Sequence, residues 1–578
     1  MPDSTVAVSA EPPVNAAPSR TVPAWWDHAE AVLLGLTCFL APLALTTVGY
    51  GHENALALKE LLFRLGMGAV VLSSVGRLAW SGGKLPRLPW AGWALLGLAL
   101  WSLLTLLWAH TAYFGLNEWP KYATAGLLFL VVGTGLVSRR ALLLAVVGLV
   151  GAAAVNGVNM LAQAFVGLEA IPQGSAPAGL FGGRNNAAQF CAAVLPLAVW
   201  LACWAQRPWL RYAAAGVAGL QAVLVVMVFA RSALLGLALG VVVVAVALRA
   251  WRFLVVPLRL IRRRPRWSAG VVVGSVALLG SILVASGTWE LLASKVDDTR
   301  IGLERYLSGG KSSRGSASMN ARLMYVTNSR PLLEESWLPG TGLGTWAAVY
   351  HEHAQAIQPD GQLTSRNVPF YAHNFYLERL VELGVPGLAL ILAVYGLTLS
   401  PGLRRLWRCG TPDRDTLTDA AAILAAFALA GSALFSMPLN YVVGPFVLAL
   451  AGGWLIRPRE PQLAPAVVNR WWAHPRWRGV AVAVLALGTV WNWLDARHDW
   501  SVHTTFGEGH RAFAAGDRET ALAVFERVAQ REPLHYRANA RAGALLSAEA
   551  PEQAREHLDR VREIYPMIPP NLGALAVW

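Results

Sequence analysis

The chain is short of charge. Of its 578 residues only 14% are Asp, Glu, Lys or Arg, against 55% hydrophobic, and the mean hydropathy is +0.45. A water-soluble globule of this size needs more charge than that to cover its surface. Cysteine is scarce as well, with Cys38, Cys191 and Cys203 in apolar runs and Cys409 in a basic loop. No pair shares an extracytoplasmic segment, so no disulfide is expected. A basic stretch leading into a cleavage site is missing from the start. Met1 to Arg20 is polar and rich in Pro and Ala, and reads as a disordered cytoplasmic tail rather than a signal peptide. Carboxylates are almost absent at mid-depth of the apolar runs, whose polar members are Asn156, Asn159, Gln163 and Gln221. Proton-coupled transporters usually need titratable groups there, which weakens that class.

What is abundant is apolar sequence in runs of about 18 residues or more, each able to cross a hydrocarbon core of about 30 Å as a helix. Candidate spans fall at 31–49, 61–80, 89–109, 121–137, 141–166, 187–205, 212–230, 232–249, 269–287, 375–400, 418–436, 439–456 and 479–495. The expected fold is all-α, a polytopic membrane protein of about 12–13 transmembrane helices. Many Trp, among them Trp25, Trp26, Trp80 and Trp267, lie near span ends and suit interfacial belts.

The net charge is +14. Its carriers sit in alternate short loops: Arg77, Lys84 and Arg87; Arg139 and Arg140; Arg207 and Arg211; the run Arg249 to Arg266; Arg404, Arg405, Arg408 and Arg414; and Arg457 to Arg478. The intervening loops hold little beyond Lys59, Lys121, Arg184 and Arg231. The positive-inside rule then places the N-terminus in the cytoplasm and the long loop at 288–374 outside, with the C-terminal tail. Anionic lipid headgroups, not nucleic acid, are the expected partner of so much basic charge.

Residues 505–566 change character. Ala521, Phe525 and Pro533 are matched 33 residues later by Ala554, Leu558 and Pro566. That spacing resembles tetratricopeptide helix pairs; a generic helical hairpin domain is the alternative. Two repeats make a poor free solenoid, so they are expected to pack on the membrane domain or its large loop. The chain divides into a disordered tail (1–28), a membrane domain (29–498) containing the 288–374 loop, and a repeat domain (499–578).

Three segments fall on the outer side. Phe181-Gly182-Gly183-Arg184-Asn185-Asn186 precedes a span; Gly-Gly permits tight backbone and the amides can act at a helix start, although a plain loop with an Asn cap has the same look. Ala230-Arg231-Ser232 joins two spans with no room for a loop, so Arg231 is held at the bilayer boundary. Such an Arg is most often a snorkelling anchor, but anchors favour the other side. The large loop holds Arg300, Arg305, Lys311, Arg314, Arg322, Arg330 and Arg366, then Pro339-Gly340-Thr341-Gly342-Leu343-Gly344, and ends in His373-Asn374-Phe375-Tyr376-Leu377-Glu378. Guanidinium forks suit phosphate oxygens. Asn374 is an expected N-cap, and the positive helix end there disfavours imidazolium, leaving His373 a neutral proton acceptor or else a plain capping residue. His351-Glu352-His353 lacks a clear third metal ligand.

In this order the elements resemble the O-antigen ligase superfamily, which includes lipopolysaccharide O-antigen ligases, O-antigen polymerases and bacterial protein O-oligosaccharyltransferases. The resemblance runs from about 30 to 456. It rests on Phe-Gly-x-x-Asn (Phe181 to Asn185), the Arg-Ser step at Arg231, the loop Arg322, Pro-x-x-Gly-x-Gly (Pro339 to Gly344), and His-Asn-x-x-Leu-Glu (His373 to Glu378) followed by Glu382-Leu383-Gly384. Gly183-Arg184-Asn185-Asn186 departs from the Asn-Pro-Asn often found there. The thirteenth span and the repeat tail are similar to longer members, including protein-glycosylating ones.

The resemblance implies a GT-C type glycosyltransferase in a bacterial inner membrane with its site facing the periplasm. It implies an undecaprenyl-diphosphate-linked glycan donor, inversion at the sugar, and no cofactor or metal. Arg231 and Arg322 would clamp the diphosphate and His373 would act as base. Arg184, Asn185, Asn186, Asn374, Glu378, Arg300 and Arg305 would contact substrate. The acceptor stays open between lipid A–core, a growing glycan and a protein; a polysaccharide transporter or assembly scaffold is the reading from another class. A protein partner is expected through the C-terminal repeats. Because no proposed chemical group lies in the tail, a chain cut after about residue 497 is expected to keep most of its catalysis.

Overall fold

The computed structural model describes residues 21–45, 53–167, 177–248, 317–350, 371–409, 413–460 and 462–565. Apolar runs that cannot offer their backbone to water satisfy it internally, and the described residues are mostly helical. The helices before the large loop are α1 (Ala24–Leu43), α2 (Glu53–Ser81), α3 (Trp90–Thr105), α4 (Tyr113–Gly133), α5 (Arg139–Phe165), α6 (Arg184–Trp204), α7 (Pro208–Val228) and α8 (Arg231–Ala247). Helix α9 (Ala317–Ser336) belongs to the loop. Then follow α10 (Phe375–Arg408), α11 (Arg414–Ser432), α12 (Val443–Ile456), α13 (Ala466–Ala473), α14 (Pro475–Ala514), α15 (Arg518–Arg531), α16 (Tyr536–Leu546) and α17 (Pro551–Ile564). Polar side chains start several of them: Ser138 Oγ accepts from Ala141 N at 3.1 Å, and Asp413 Oδ1 accepts from Thr416 N at 2.7 Å.

Each expected span except 269–287, which lies outside the described residues, coincides with a helix. Seven described helices are long and apolar enough to cross a membrane by length and composition, and α3, α8 and α12 are shorter apolar helices. The expectation of about 12–13 spans is met in helix positions but not by that stricter measure. Lys59 and Lys121 correct the loop reading: both lie inside helices, α2 and α4, and both are buried.

The bundle has two distinct ends. At one, Arg457 Nη1 donates to Val137 O at 2.8 Å, Trp472 Nε1 donates to Gly83 O at 2.9 Å and Arg87 N donates to Gln462 O at 2.8 Å. The basic short loops collect there. At the other, Lys121 Nζ donates to Asn440 O and Ser432 Oγ to Ser232 O, both at 3.0 Å. Every segment with chemical potential lies at this second end.

Helices α8 and α11 approach so closely that a Cβ on Gly236 would stand 2.7 Å from Ala428 O and 2.8 Å from Ser432 N. Small residues permit this backbone contact, which matters where lipid offers no hydrophobic drive to association. Helix α14 runs 40 residues without a break, about 60 Å at 1.5 Å per residue. It passes straight through the expected boundary at 498/499 and becomes the first helix of the repeat region. Its partner α15 inserts Ala521 and Phe525, both 0% exposed, while Ala554 of α17 does the same in the second pair.

The Gly236 contact gives a direct test of the packing. Gly236→Val must push α8 off α11, and we expect a clearly lower midpoint of thermal unfolding in detergent, whereas Gly216→Val, with open space around it, should leave the midpoint near that of the wild type.

Candidate functional site

The site begins at the step between α7 and α8. Helix α7 ends at Val228; Phe229 then takes φ 50°, ψ 44°, and Ala230 is extended before α8 starts at Arg231. A non-glycine residue in the left-handed region costs about 1–2 kcal/mol, so surrounding structure must enforce this reversal. Gln189 Nε2 of α6 donates to Ser232 Oγ at 3.2 Å, and Ser432 Oγ of α11 holds the Ser232 carbonyl. Two helices thus fix the first turn of α8, and the exposed Arg231 side chain projects from a rigid base.

Helix α9 supplies Arg322 and, one turn on, Tyr325 on the same face. Arg322 Nε is buried and has no acceptor among the described residues. Burial, and then the positive charge of Arg231, lower the Arg322 pKa from its ordinary value. Two guanidinium groups are therefore held within electrostatic reach of one another.

His373 stands in the turn before α10, and it too is left-handed, with φ 51°. Its ring stacks on Tyr325 with centroids 6.0 Å apart and planes 16° from parallel. Burial first, and the Arg322 charge second, push the imidazole down to about 4, so the ring is neutral across the physiological range. Asn374 caps α10 as expected, its Oδ1 accepting from Tyr376 N and Leu377 N at 3.1 Å each.

Glu378, expected to contact substrate, is 2% exposed and its carboxylate is engaged within the fold. Its Oε2 accepts from Ala372 N at 3.1 Å, immediately before His373, and its Oε1 accepts from Asn440 Nδ2 at 2.8 Å. It fixes the strained turn that carries the histidine. Beside it, Arg379 pairs with Glu118 at 2.9 Å, with Glu378 at 3.4 Å and with Glu382. Glu382 in turn accepts from Trp346 N at 3.2 Å.

The two glycine-rich elements interlock. Helix α10 breaks at Gly384, where φ is 65° and ψ −172°. Into this break comes Pro339 to Gly344: Thr341 N donates to Val381 O and Gly342 N to Glu382 O, both at 2.9 Å, while Val385 N donates to Trp337 O at 2.9 Å. A Cβ on Gly340 would stand 2.5 Å from Gly384 N, and Gly340 has φ 72°. The glycines are there because two backbones touch. The clasp fastens the end of α9 to α10, and so brings Arg322 to His373.

The Phe181 to Asn186 element lies at the same end. Its expected Asn cap is replaced: Gly183 is the N-cap, without a side-chain bond, and Arg184, Asn185 and Asn186 form the first turn of α6. Arg184 and Asn185 are exposed there and Asn186 is half-buried. Gln189 of the next turn bonds Ser232, which places this face beside Arg231. The preceding turn is held by Gln163, whose Oε1 accepts from Ala178 N at 2.9 Å and Gly179 N at 2.7 Å, and by Asn156, whose Oδ1 accepts from Leu180 N at 2.8 Å. Of the four polar span residues, Asn156 and Gln163 shape this turn, whereas Gln221 Nε2 donates to Ala153 O and Asn159 Nδ2 to Val155 O, both at 3.0 Å. Arg300, Arg305, His351, Glu352 and His353 lie outside the described residues.

Three features escaped the sequence reading. Tyr325 had only its i+3 spacing from Arg322 as a signal. The Arg379 network joins residues 118 and 379, too distant in sequence for pairing to be read. Lys59 is 0% exposed, with its Nζ donating to Ala44 O and lying 5.2 Å from the Phe181 ring.

Removing Arg379 leaves the buried Glu378 and Glu382, and the half-buried Glu118 beside them, without their shared guanidinium. Arg379→Ala is expected to destabilise the fold by about 3–5 kcal/mol, seen as a large drop in the thermal midpoint. An independent measurement concerns His373. Selectively labelled histidine NMR, assigned with His373→Gln, should show a ring that stays neutral as pH falls until about 4; titration of that signal near 6.5 would contradict the buried site.

Comparison with known proteins agrees with this geometry. Residues 214–392 match the family model described as O-antigen ligase, and residues 512–575 match one described as tetratricopeptide repeat. No curated protein matches the chain. The first match covers Arg231, Arg322, the clasp and His373, the second covers the paired helices of the tail, and the chain, with seven described helices apolar enough to cross a membrane, carries a region similar to the O-antigen ligase family over residues 214–392.

Proposed function

We propose that the protein transfers a glycan from an undecaprenyl-diphosphate carrier to an acceptor hydroxyl, at the periplasmic face of a bacterial inner membrane, with lipid A–core as the acceptor. The observation that carries this reading is the convergence of Arg231, Arg322 and His373 from three separate elements, with a buried Arg322 Nε that lacks an acceptor among the described residues. A diphosphate would supply oxygen atoms to both guanidinium groups. The alternation of basic loops between the ends of the bundle supports the periplasmic placement.

The chemistry balances without a further reactant. The acceptor hydroxyl gives its proton to His373 as its oxygen bonds to the anomeric carbon. The carbon–oxygen bond to phosphate breaks, and the electron pair leaves with the diphosphate, whose charge Arg231 and Arg322 offset. Attack opposite the leaving group inverts the sugar centre. In the free protein His373 is a weak base because it is buried and faces Arg322. Binding of an anionic diphosphate offsets the Arg322 charge, the smaller of the two effects, so the proton affinity of His373 rises when donor is in place while burial still holds it below the ordinary value.

An O-antigen polymerase or a protein O-oligosaccharyltransferase would use the same groups and differ in acceptor. Deleting the gene and inspecting lipopolysaccharide, capsule and glycoproteins separately distinguishes them. The chemistry is tested by transfer in vitro from a lipid-diphosphate glycan. His373→Ala should lower the rate about 100- to 10,000-fold, and Arg231→Lys and Arg322→Lys should both fail, since an ammonium cannot reproduce a guanidinium fork. Arg330→Ala, whose side chain is 79% exposed on the same helix, should act like the wild type, and EDTA should have no effect. Full turnover by His373→Ala would remove the base from the scheme.

The pH dependence carries its own sign. An imidazolium cannot accept the proton, so activity falls as pH drops through the His373 pKa. The acid limb of kcat/KM, which reports free enzyme, should lie near pH 4. The limb of kcat, which reports the donor complex, should lie higher. Identical limbs near 6.5 would deny the coupling.

A further inference from the structure

The repeat tail shares a hydrophobic core with the site. Ala540, Val561, Ile564 and Tyr565 of the tail are buried in one cluster with Leu332 of α9, Trp346 and Tyr350 beyond the clasp, Ala372 and Val381. Ile564 is 0% exposed and Val561 1%. Aromatic contacts extend the connection on both sides. Tyr565 packs against Tyr536 at 5.3 Å and against Phe114 of α4 at 6.0 Å. Within the same cluster Tyr325 contacts Trp346 at 6.1 Å and Tyr350 at 5.9 Å, and its other face meets the His373 ring. From Tyr565 to His373 the path is contiguous packed side chains.

We infer that the C-terminal repeats are a brace for the active site: through Ile564 and Tyr565 they hold α9 in the register that presents Arg322 and Tyr325 to His373. Two observations make the brace stiff. Helix α14 enters the repeats without a break, so the tail is anchored by a span and not by a linker. The tail also returns at its far end to α4 and α9, closing a loop of packed elements around the site. Helix α9 otherwise depends on the clasp at one end, and its Arg330 and Glu334 side chains, 79% and 62% exposed, show that its opposite face is solvated. The expectation that a chain cut after residue 497 would keep its catalysis is revised accordingly: the cut removes one wall of the core beneath Arg322. Displacement of a reacting group by about 1 Å costs on the order of 100-fold in rate.

The inference rests on the proposed transfer for its activity readout, and a second readout makes it independent. In the full-length protein, Ile564→Ala and Tyr565→Ala should raise hydrogen exchange in 317–336 and in the turn at 371–374, while exchange in α1, α5 and α6 stays as in the wild type. Both should lower kcat for transfer from a lipid-diphosphate glycan about 10- to 100-fold. Tyr565→Phe, which keeps the ring, should restore exchange and rate together. Glu556→Ala, on the exposed ion pair of α17 with Arg560, should change neither. Unaltered exchange in α9 for both alanine variants overturns the brace, whatever the transfer assay gives. Raised exchange with an unaltered rate overturns the claim that the brace positions the chemistry. Absence of transfer by the wild type itself strikes at the proposed function and leaves the exchange result to decide the brace.

Discussion

Arg379 organises the outer end of this bundle. One guanidinium, buried near the start of α10, pairs with Glu118 of α4 and with the α10 residues Glu378 and Glu382. The two carboxylates on its own helix then each hold a loop: Glu378 the turn before His373, and Glu382 the start of the segment after the clasp. Holding three carboxylates around one buried guanidinium is costly unless every partner is in place. The second cation, Lys121, stands 4.0 Å from Glu118 and donates to Asn440 O, and Asn440 itself binds Glu378. The network ties α4, α10 and the 437–441 turn into one unit, and the site is built on that unit.

Strain marks the places where function is concentrated. Among the described residues the non-glycine positions with positive φ are Phe229 and His373. One delivers Arg231 and the other is the proposed base. Each distortion is held by bonds from neighbouring helices, through Ser232 in the first case and Glu378 in the second. The glycine elements serve the same end by another route, because the clasp at Gly340 and Gly384 lets a loop helix lock onto a membrane helix by backbone alone. Rigid first-turn supports of this kind hold like-charged side chains close to one another.

The tail alters how the protein is divided. A membrane domain and a repeat domain can be told apart by composition, but α14 belongs to both, and the Tyr565 core belongs to the site. Anything that bends the repeats is mechanically connected to α9, so the repeats are placed to influence the chemistry as well as to meet a partner.

Much of this was determined by the sequence alone. Low charge and long apolar runs dictate membrane helices, because an unpaired backbone is intolerable in lipid. The 33-residue repeat of Ala521 and Ala554 marks the tail, since close helix pairs need small residues at fixed spacing. The Phe-Gly, Arg-Ser, Pro-x-x-Gly-x-Gly and His-Asn elements carry the resemblance that singles out Arg231, Arg322 and His373, and the fold gathers these elements at one end of the bundle. Other features required the tertiary structure. Glu378 reads as a ligand in the motif, yet its carboxylate turns inward because Ala372 N, Asn440 and Arg379 surround it. Lys59 and Lys121 read as loop charges and are buried, because helix ends are set by packing and not by hydropathy. The pairing of Arg379 with Glu118, the stacking of Tyr325 on His373 and the packing of Tyr565 against Phe114 connect residues far apart in the chain. Such contacts leave no periodicity in the sequence, and they exist only once the helices have been brought together.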